Sequence, residues 1–198
     1  MSRHAGSLPA SYFEGLYAAD PDPWRFATSD YERDKYAATL GALPRERYAR
    51  ALDVGCSVGV LTRALADRCD ALVAMDPVRR ALDAARSRCA DSPHVGFVEG
   101  AAPATWPDGV FDLILLSEVV YYLDPTDGAR LGERAGASLA PTGDILLVHW
   151  TGETNYPLSG DEAAERFIGE LGRAGLRIDG DRTVRRERYR LDVLRREA

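Results

Sequence analysis

Three cysteines in 198 residues, Cys56, Cys69 and Cys89, are too few and too widely spaced for a disulfide framework or a zinc knuckle. No C-x-x-C pair occurs, and one thiol would be left over. Histidine is equally sparse. His4 and His94 fall in an N-terminal tail and a pre-strand loop, so they cannot join His149 in a three-ligand cluster, and no metal is expected. No early apolar run resembles a signal peptide or membrane span, because His4, Glu14, Asp20, Asp22 and Arg25 break up residues 1 to 30. Internal repeats and low-complexity segments are missing as well. Together these absences predict a reducing, cytoplasmic setting. Positive charge is in deficit: a formal net charge of -6 argues against nucleic acid or an anionic membrane as partner and favours a neutral or cationic small molecule. What is present is one domain's worth of chain, with 45% hydrophobic residues, enough for a single sizeable core.

The most informative stretch is Ala51-Leu52-Asp53-Val54-Gly55-Cys56-Ser57-Val58-Gly59-Val60-Leu61-Thr62, which reads as a buried strand, a tight turn and a helix start. Gly55 and Gly59 let the backbone turn sharply and approach a ligand, and Asp53 stands where the strand ends. The next apolar run, Ala71 to Met75, closes on Asp76, placed where a carboxylate grips the two hydroxyls of a ribose. A dinucleotide fits poorly. Its pyrophosphate would meet the anionic Asp53, and Gly55-x-x-x-Gly59 is not the G-x-G-x-x-G spacing. S-adenosyl-L-methionine carries a ribose without phosphate and an ammonium that a nearby carboxylate favours, so it suits both acids.

Beyond the turn, strand and helix alternate. Helices are predicted over Val60 to Asp67, Pro77 to Arg88, Asp127 to Leu139 and Asp161 to Ala174. Strands are predicted over Val95 to Val98, Phe111 to Leu116, Asp144 to His149, Leu176 to Ile178 and Tyr189 to Leu194. This pattern predicts an α/β fold with a parallel sheet covered on both faces and a ligand at the carboxyl ends of its strands. Asp53, Asp76, Glu99, Glu118 and His149 then share one rim. Upstream, Ser29 or Asp30 to about Leu43 is predicted to form a helix that sets Tyr31 with Lys35, and Glu32 with Tyr36, one turn apart, as an amphipathic cover for that rim.

The acidic-x-Gly-x-Gly-x-Gly strand end and the acid closing the second strand resemble the first two motifs of the class I S-adenosylmethionine-dependent methyltransferases, with Ser57 in the middle glycine's place. Pro141-Thr142-Gly143 is similar to the same family's Leu-x-Pro-Gly-Gly corner. The resemblance spans about residues 48 to 150 and implies a Rossmann-like methyltransferase fold: a seven-stranded, mostly parallel sheet whose last strand is antiparallel. It implies cofactor contacts from Asp53, Gly55, Ser57, Gly59, Asp76, Pro77 and Ser117, with Gly100 and Ala101 near the adenine. Residues 48–198 would form the cofactor-binding domain, which releases S-adenosyl-L-homocysteine.

A closer resemblance begins in the leader. Asp22-Pro23-Trp24-Arg25, Tyr31-Glu32-Arg33 and Glu118-Val119-Val120-Tyr121-Tyr122-Leu123 are similar to the NodS-type nodulation methyltransferases, which N-methylate the free amine of a chitin oligosaccharide. It implies that residues 1–47 are a substrate-covering segment and that the acceptor is the amine of an amino sugar, an aminoglycoside or a similar glycoside. Glu118 and His149 are the candidate catalytic residues, as base or ammonium holder. Tyr12, Trp24, Tyr31, Tyr121, Tyr122 and Trp150 are the candidate acceptor wall. A monomer or homodimer is expected. Competing readings are an O-methyltransferase with His149 as base, a non-catalytic adenosylmethionine-binding regulator and, more distantly, a nicotinamide-dependent reductase.

Overall fold

A computed structural model describes residues 3–173, 176 and 178–196. Two leader helices, α1 (Ala10–Ala19) and α2 (Asp30–Ala42), come before the sheet. There follow β1 (Tyr48–Val54), α3 (Val60–Ala66), β2 (Cys69–Asp76), α4 (Arg79–Arg88), β3 (Val95–Glu99), β4 (Phe111–Ser117), α5 (Pro125–Ser138), β5 (Leu139–Trp150), α6 (Gly160–Arg173), β6 (Ile178–Arg185) and β7 (Tyr189–Arg196). The strands form one seven-stranded sheet in the order β3-β2-β1-β4-β5-β7-β6. Strands β1 to β5 pair in parallel, and β7 runs antiparallel to both its neighbours. The strand order reverses between β1 and β4, which opens a crevice at their carboxyl ends.

Side-chain alternation divides the core. Leu52, Val54, Ile114, Leu116, Ile145 and Leu147 face α5 and α6, whose Leu131, Ala135, Phe167 and Leu171 cover them. Ala51, Leu113, Leu115, Leu146 and Val148 face the opposite way, toward Leu61 and Leu65 of α3 and Tyr31, Tyr36 and Leu40 of α2. No helix among the described residues is long and apolar enough to cross a membrane.

Three elements depart from the sequence reading. The aromatic leader contains a helix of its own, α1, which was not predicted; Pro9 precedes it in extended conformation and its Tyr17 is buried. The corner Pro141-Thr142-Gly143 lies within β5 as a bulge: β5 pairs from Leu139 opposite Phe111 and resumes with Asp144 opposite Leu113. Thr142, where the family corner has glycine, takes φ 59. Strand β6 spans Ile178–Arg185 instead of Leu176 to Ile178. Its sequence IDGDRTVR carries no apolar alternation, and it is a strand because β7 offers an edge to pair with. Residue 174, the expected end of α6, and residue 177 lie outside the described residues.

Candidate functional site

The site begins at the turn after β1. Gly55 has φ 77 and Gly59 φ 78, a region that side chains disfavour. A Cβ on Gly55 would sit 2.5 Å from Cγ2 of Val119, and one on Gly59 would sit 2.7 Å from the Cα of Ala85. The first glycine therefore lets the loop after β4 close on the turn, and the second lets α3 pack on α4. The amides of Gly55 and Cys56 both donate to the carbonyl of Met75, at 2.8 and 2.9 Å. Ser57, which replaces the middle glycine, adopts φ 51. Two contacts hold it there: its amide donates to Oδ2 of Asp76 at 3.0 Å, and its hydroxyl bonds the Tyr17 hydroxyl of α1.

Both acids of the motif are buried. Asp53 is 2% exposed and Asp76 6%. Oδ2 of Asp53 accepts from the Thr62 hydroxyl at 2.7 Å, while Oδ1 of Asp76 accepts from the Val78 amide at 2.9 Å. Burial pushes the Asp53 carboxyl up to about 6 against the pull of Thr62. It pushes Asp76 up to about 6 as well, against the Val78 and Ser57 amides. Neither acid has a cationic side chain in hydrogen-bond contact among the described residues. This donor set fits a ligand that brings its own positive charge, within a turn too tight to admit side chains.

Every residue expected to touch the cofactor lines one cavity of about 120 Å³: Asp53, Gly55, Ser57, Gly59, Asp76, Pro77, Gly100, Ala101 and Ser117. Glu118, Trp24 and Tyr122 line it too. Phe13 and Tyr17 of α1, Phe26, and Tyr36 of α2 complete an aromatic wall that the sequence reading did not assign. Trp24 and Phe26 stack with ring centroids 5.5 Å apart. They pack with Tyr17 against Val58, Val78 and Ala81, so the leader seats directly on the glycine turn.

The other candidates stand away from the cavity lining, each for a definite reason. His149 is fully buried behind the loop. Its Nε2 accepts from the Val120 amide at 3.2 Å, its Nδ1 has no partner among the described residues, and burial pushes it down to about 4. It is a neutral peg for the loop backbone, without a free basic nitrogen facing the cavity. Tyr121 lies edge-on to His149 at 5.3 Å. Tyr31 packs edge-on against Trp150 at 5.9 Å and Tyr189 at 6.3 Å, beyond the rim. Tyr12 packs edge-on against Phe13 at 5.2 Å and does not itself line the cavity.

Glu118 lines the cavity beside Val119 and Tyr122. It has φ 59 and its side chain is 12% exposed. Oε1 accepts from Nζ of Lys35 at 2.7 Å; Oε2 accepts from the Tyr121 hydroxyl at 2.6 Å and the Trp150 amide at 2.9 Å. Burial pushes this carboxyl up, but the Lys35 ammonium, the neighbouring His149 and the hydrogen bonds from Lys35 and Tyr121 outweigh that and hold it below the ordinary carboxylate value. Lys35 was read from sequence only as part of a helix face. It is 2% exposed and also donates to Oε1 of Glu32 at 3.0 Å. Helix α2 accordingly buries Glu32, Lys35 and Thr39 beside the Tyr31, Tyr36 and Leu40 that pack toward the sheet. One sequence signal marked the residue: Lys35 is the only lysine in the chain, and the other 24 basic residues are arginine.

A crevice at the strand-order reversal, a glycine turn and two buried acids at successive strand ends define the fold of the class I S-adenosylmethionine-dependent methyltransferases. A crystal structure from Pseudomonas syringae described as a methyltransferase is 39% identical, covers 84% of this chain and 99% of its own, and superposes with a TM-score of 0.72. The N-methyltransferase NodS of Bradyrhizobium japonicum WM9, solved in complex with S-adenosyl-L-homocysteine, gives a TM-score of 0.79 at 22% identity over 96% of this chain and 99% of its own. Residues 15–136 match the model of the family described as Nodulation protein S (NodS), and the chain belongs to that family. Nodulation protein S of Rhizobium tropici is 38% identical over 134 residues, which are 66% of this chain and 55% of that protein. The chain matches 55 to 61% of the length of its first curated relatives.

Proposed function

We propose that the protein is an S-adenosylmethionine-dependent N-methyltransferase acting on the amine of a small molecule, an amino sugar or a glycoside that carries one. The observation that carries this reading is the convergence of all nine expected cofactor residues on one cavity whose two buried acids lack a cationic partner side chain. Family membership and the N-methyltransferase activity named for the Bradyrhizobium relative support it. In this reading Asp76 takes the ribose hydroxyls, Asp53 faces the ammonium end of the cofactor, and the loops carrying Gly100 and Ser117 flank the adenine and the reacting end.

The cofactor supplies a methyl group on a sulfonium, which leaves as a neutral thioether when an amine nitrogen forms its bond to carbon. The protein's share is mostly positioning. The aromatic wall of Phe13, Trp24, Phe26, Tyr36 and Tyr122 excludes water and offers ring faces to a cationic acceptor. Glu118 keeps a negative charge beside it. The acceptor's proton passes to solvent before transfer. An alcohol acceptor needs a strong base at its oxygen. Glu118 is engaged by Lys35, and His149 lies outside the cavity lining, which favours the amine over the hydroxyl.

The test incubates the full chain with methyl-labelled cofactor and a panel of free-amine and N-acetylated sugars, chitin-type oligomers and aminoglycosides included. Label on the free-amine members alone is the expected result. Label on oxygen, or on no member, would overturn the reading.

A further inference from the structure

We propose that Lys35 is a positioning residue for acceptor binding. It holds the Glu118 carboxylate ionised and in its left-handed turn, so that the helix over the rim and the loop after β4 act as one unit that draws a cationic amine. The inference rests on the amine-methyltransferase reading and adds to it how the acceptor is attracted.

The geometry ties together parts distant in sequence. Lys35 Nζ bridges Glu32 on its own helix and Glu118, 83 residues further on. Tyr31 places its ring 5.4 Å from the same nitrogen. A compact ammonium with three donors suits that gap between two carboxylates. Glu118 is pinned on its other side too, because its own amide donates to the Val148 carbonyl at 2.7 Å. The next residue, Val119, is the one that closes on Gly55. Shifting Glu118 would therefore move the wall that meets the cofactor turn.

The charges point the same way. The described groups that face Glu118 are Glu32, Lys35, Tyr31 and Tyr36 of α2, and Tyr121 and Tyr122 of its own loop. His149 on β5 and Tyr156 before α6 face it from the other side. Burial pushes the Glu32 carboxyl up, while Glu118, the carboxylate of this set that lines the cavity, is held below its ordinary value. Lys35 is the one cation in this set at neutral pH. Without it, the nearly buried Glu118 would keep its proton more readily, and the charge would leave the carboxylate that lines the cavity. Fold stability alone is a poor reason for the arrangement, since replacing a buried ion pair by apolar side chains is often neutral or stabilising.

The test follows the Glu118 carboxyl carbon by NMR in protein labelled at glutamate, with Glu118→Gln to assign the signal, and needs no acceptor. In the native chain the signal is that of a carboxylate at neutral pH, whereas in Lys35→Met its titration moves to higher pH. With a chitin-type oligomer bearing a free amine, Lys35→Met raises the acceptor KM about tenfold near pH 6.5 and recovers as pH rises. Cofactor affinity by calorimetry stays within about threefold, and Lys35→Arg keeps the carboxylate ionised. An unchanged Glu118 titration in Lys35→Met overturns the proposal. So does an equal, pH-independent loss of cofactor and acceptor affinity, which would mark Lys35 as support for the fold. If Lys35→Met does not fold, Lys35→Arg decides: a Glu118 signal that titrates as a free buried acid overturns the inference, and a fixed carboxylate sustains it. Absence of methyl transfer to every amine would defeat the functional reading and leave the titration result standing.

Discussion

The two walls of the cavity handle charge in opposite ways. On the cofactor wall, Asp53 and Asp76 are buried with only hydroxyl and amide donors, and burial raises both. On the wall proposed to meet the acceptor, Glu118 is nearly as buried yet is held below its ordinary value, the ammonium of Lys35 being the largest opposing cause. The first wall is unfinished without a positively charged ligand, while the second carries its own counter-ion. The cavity also draws on different materials. The cofactor wall is backbone, folded so tightly at Gly55 and Gly59 that a methyl group would collide. The leader adds aromatic side chains that line the same cavity and seat on that turn.

The strongest blow to this contrast is a substitution in the backbone wall. Gly59→Ala places a Cβ against the Ala85 backbone at φ 78 and should cost about 2 to 4 kcal/mol of stability, read as a large drop in melting temperature. A variant that melts like the native chain would show the turn to be soft.

Next in size is Asp76→Asn, expected to weaken cofactor binding by about 1.5 to 3 kcal/mol in calorimetry while Glu118 keeps its carboxylate signal. A simultaneous change at Glu118 would mean that the two walls are not separate.

The contrast also has a pH signature. Because Asp53 and Asp76 are raised to about 6, the unliganded fold binds their protons more tightly than the unfolded chain does. Their contribution to stability is then fully present below the ordinary carboxylate value, about 4, and is lost as pH rises through about 6. A cationic ligand prefers the ionised acids, so cofactor affinity should climb from pH 5 to 7. A flat calorimetric profile over that range would break the assignment.

The smallest expected effect is that of Tyr17→Phe, which removes the hydroxyl that meets Ser57 and should lower cofactor affinity by about 0.5 to 1.5 kcal/mol.

The same division explains what could be read from sequence. The cofactor wall is local: Asp53, Gly55, Ser57 and Gly59 lie within one turn of chain, and Asp76 ends the next strand, so spacing alone revealed their shared rim. The sheet was legible for the same reason, each buried strand being a short apolar run. The contacts made by the leader depend on distant meetings. Lys35 reaches Glu118, and Tyr17 reaches Ser57, only after the leader folds back over the sheet, and no periodicity announces such contacts. His149 was expected on the rim, yet its side chain turns inward to the Val120 amide, fully buried and outside the cavity lining. Strand β6 was placed too early because pairing with β7, rather than an apolar pattern, makes it a strand.

The arginine-rich composition has one further consequence. Guanidinium groups hold their protons at any physiological pH, and the chain's single side-chain ammonium is sealed between two carboxylates. The outer surface therefore presents no lysine amine as a nucleophile. If the proposed amine methylation holds, no surface lysine of its own or of neighbouring copies competes as acceptor, and amine-directed labelling reagents should find the folded molecule's lysine closed to them.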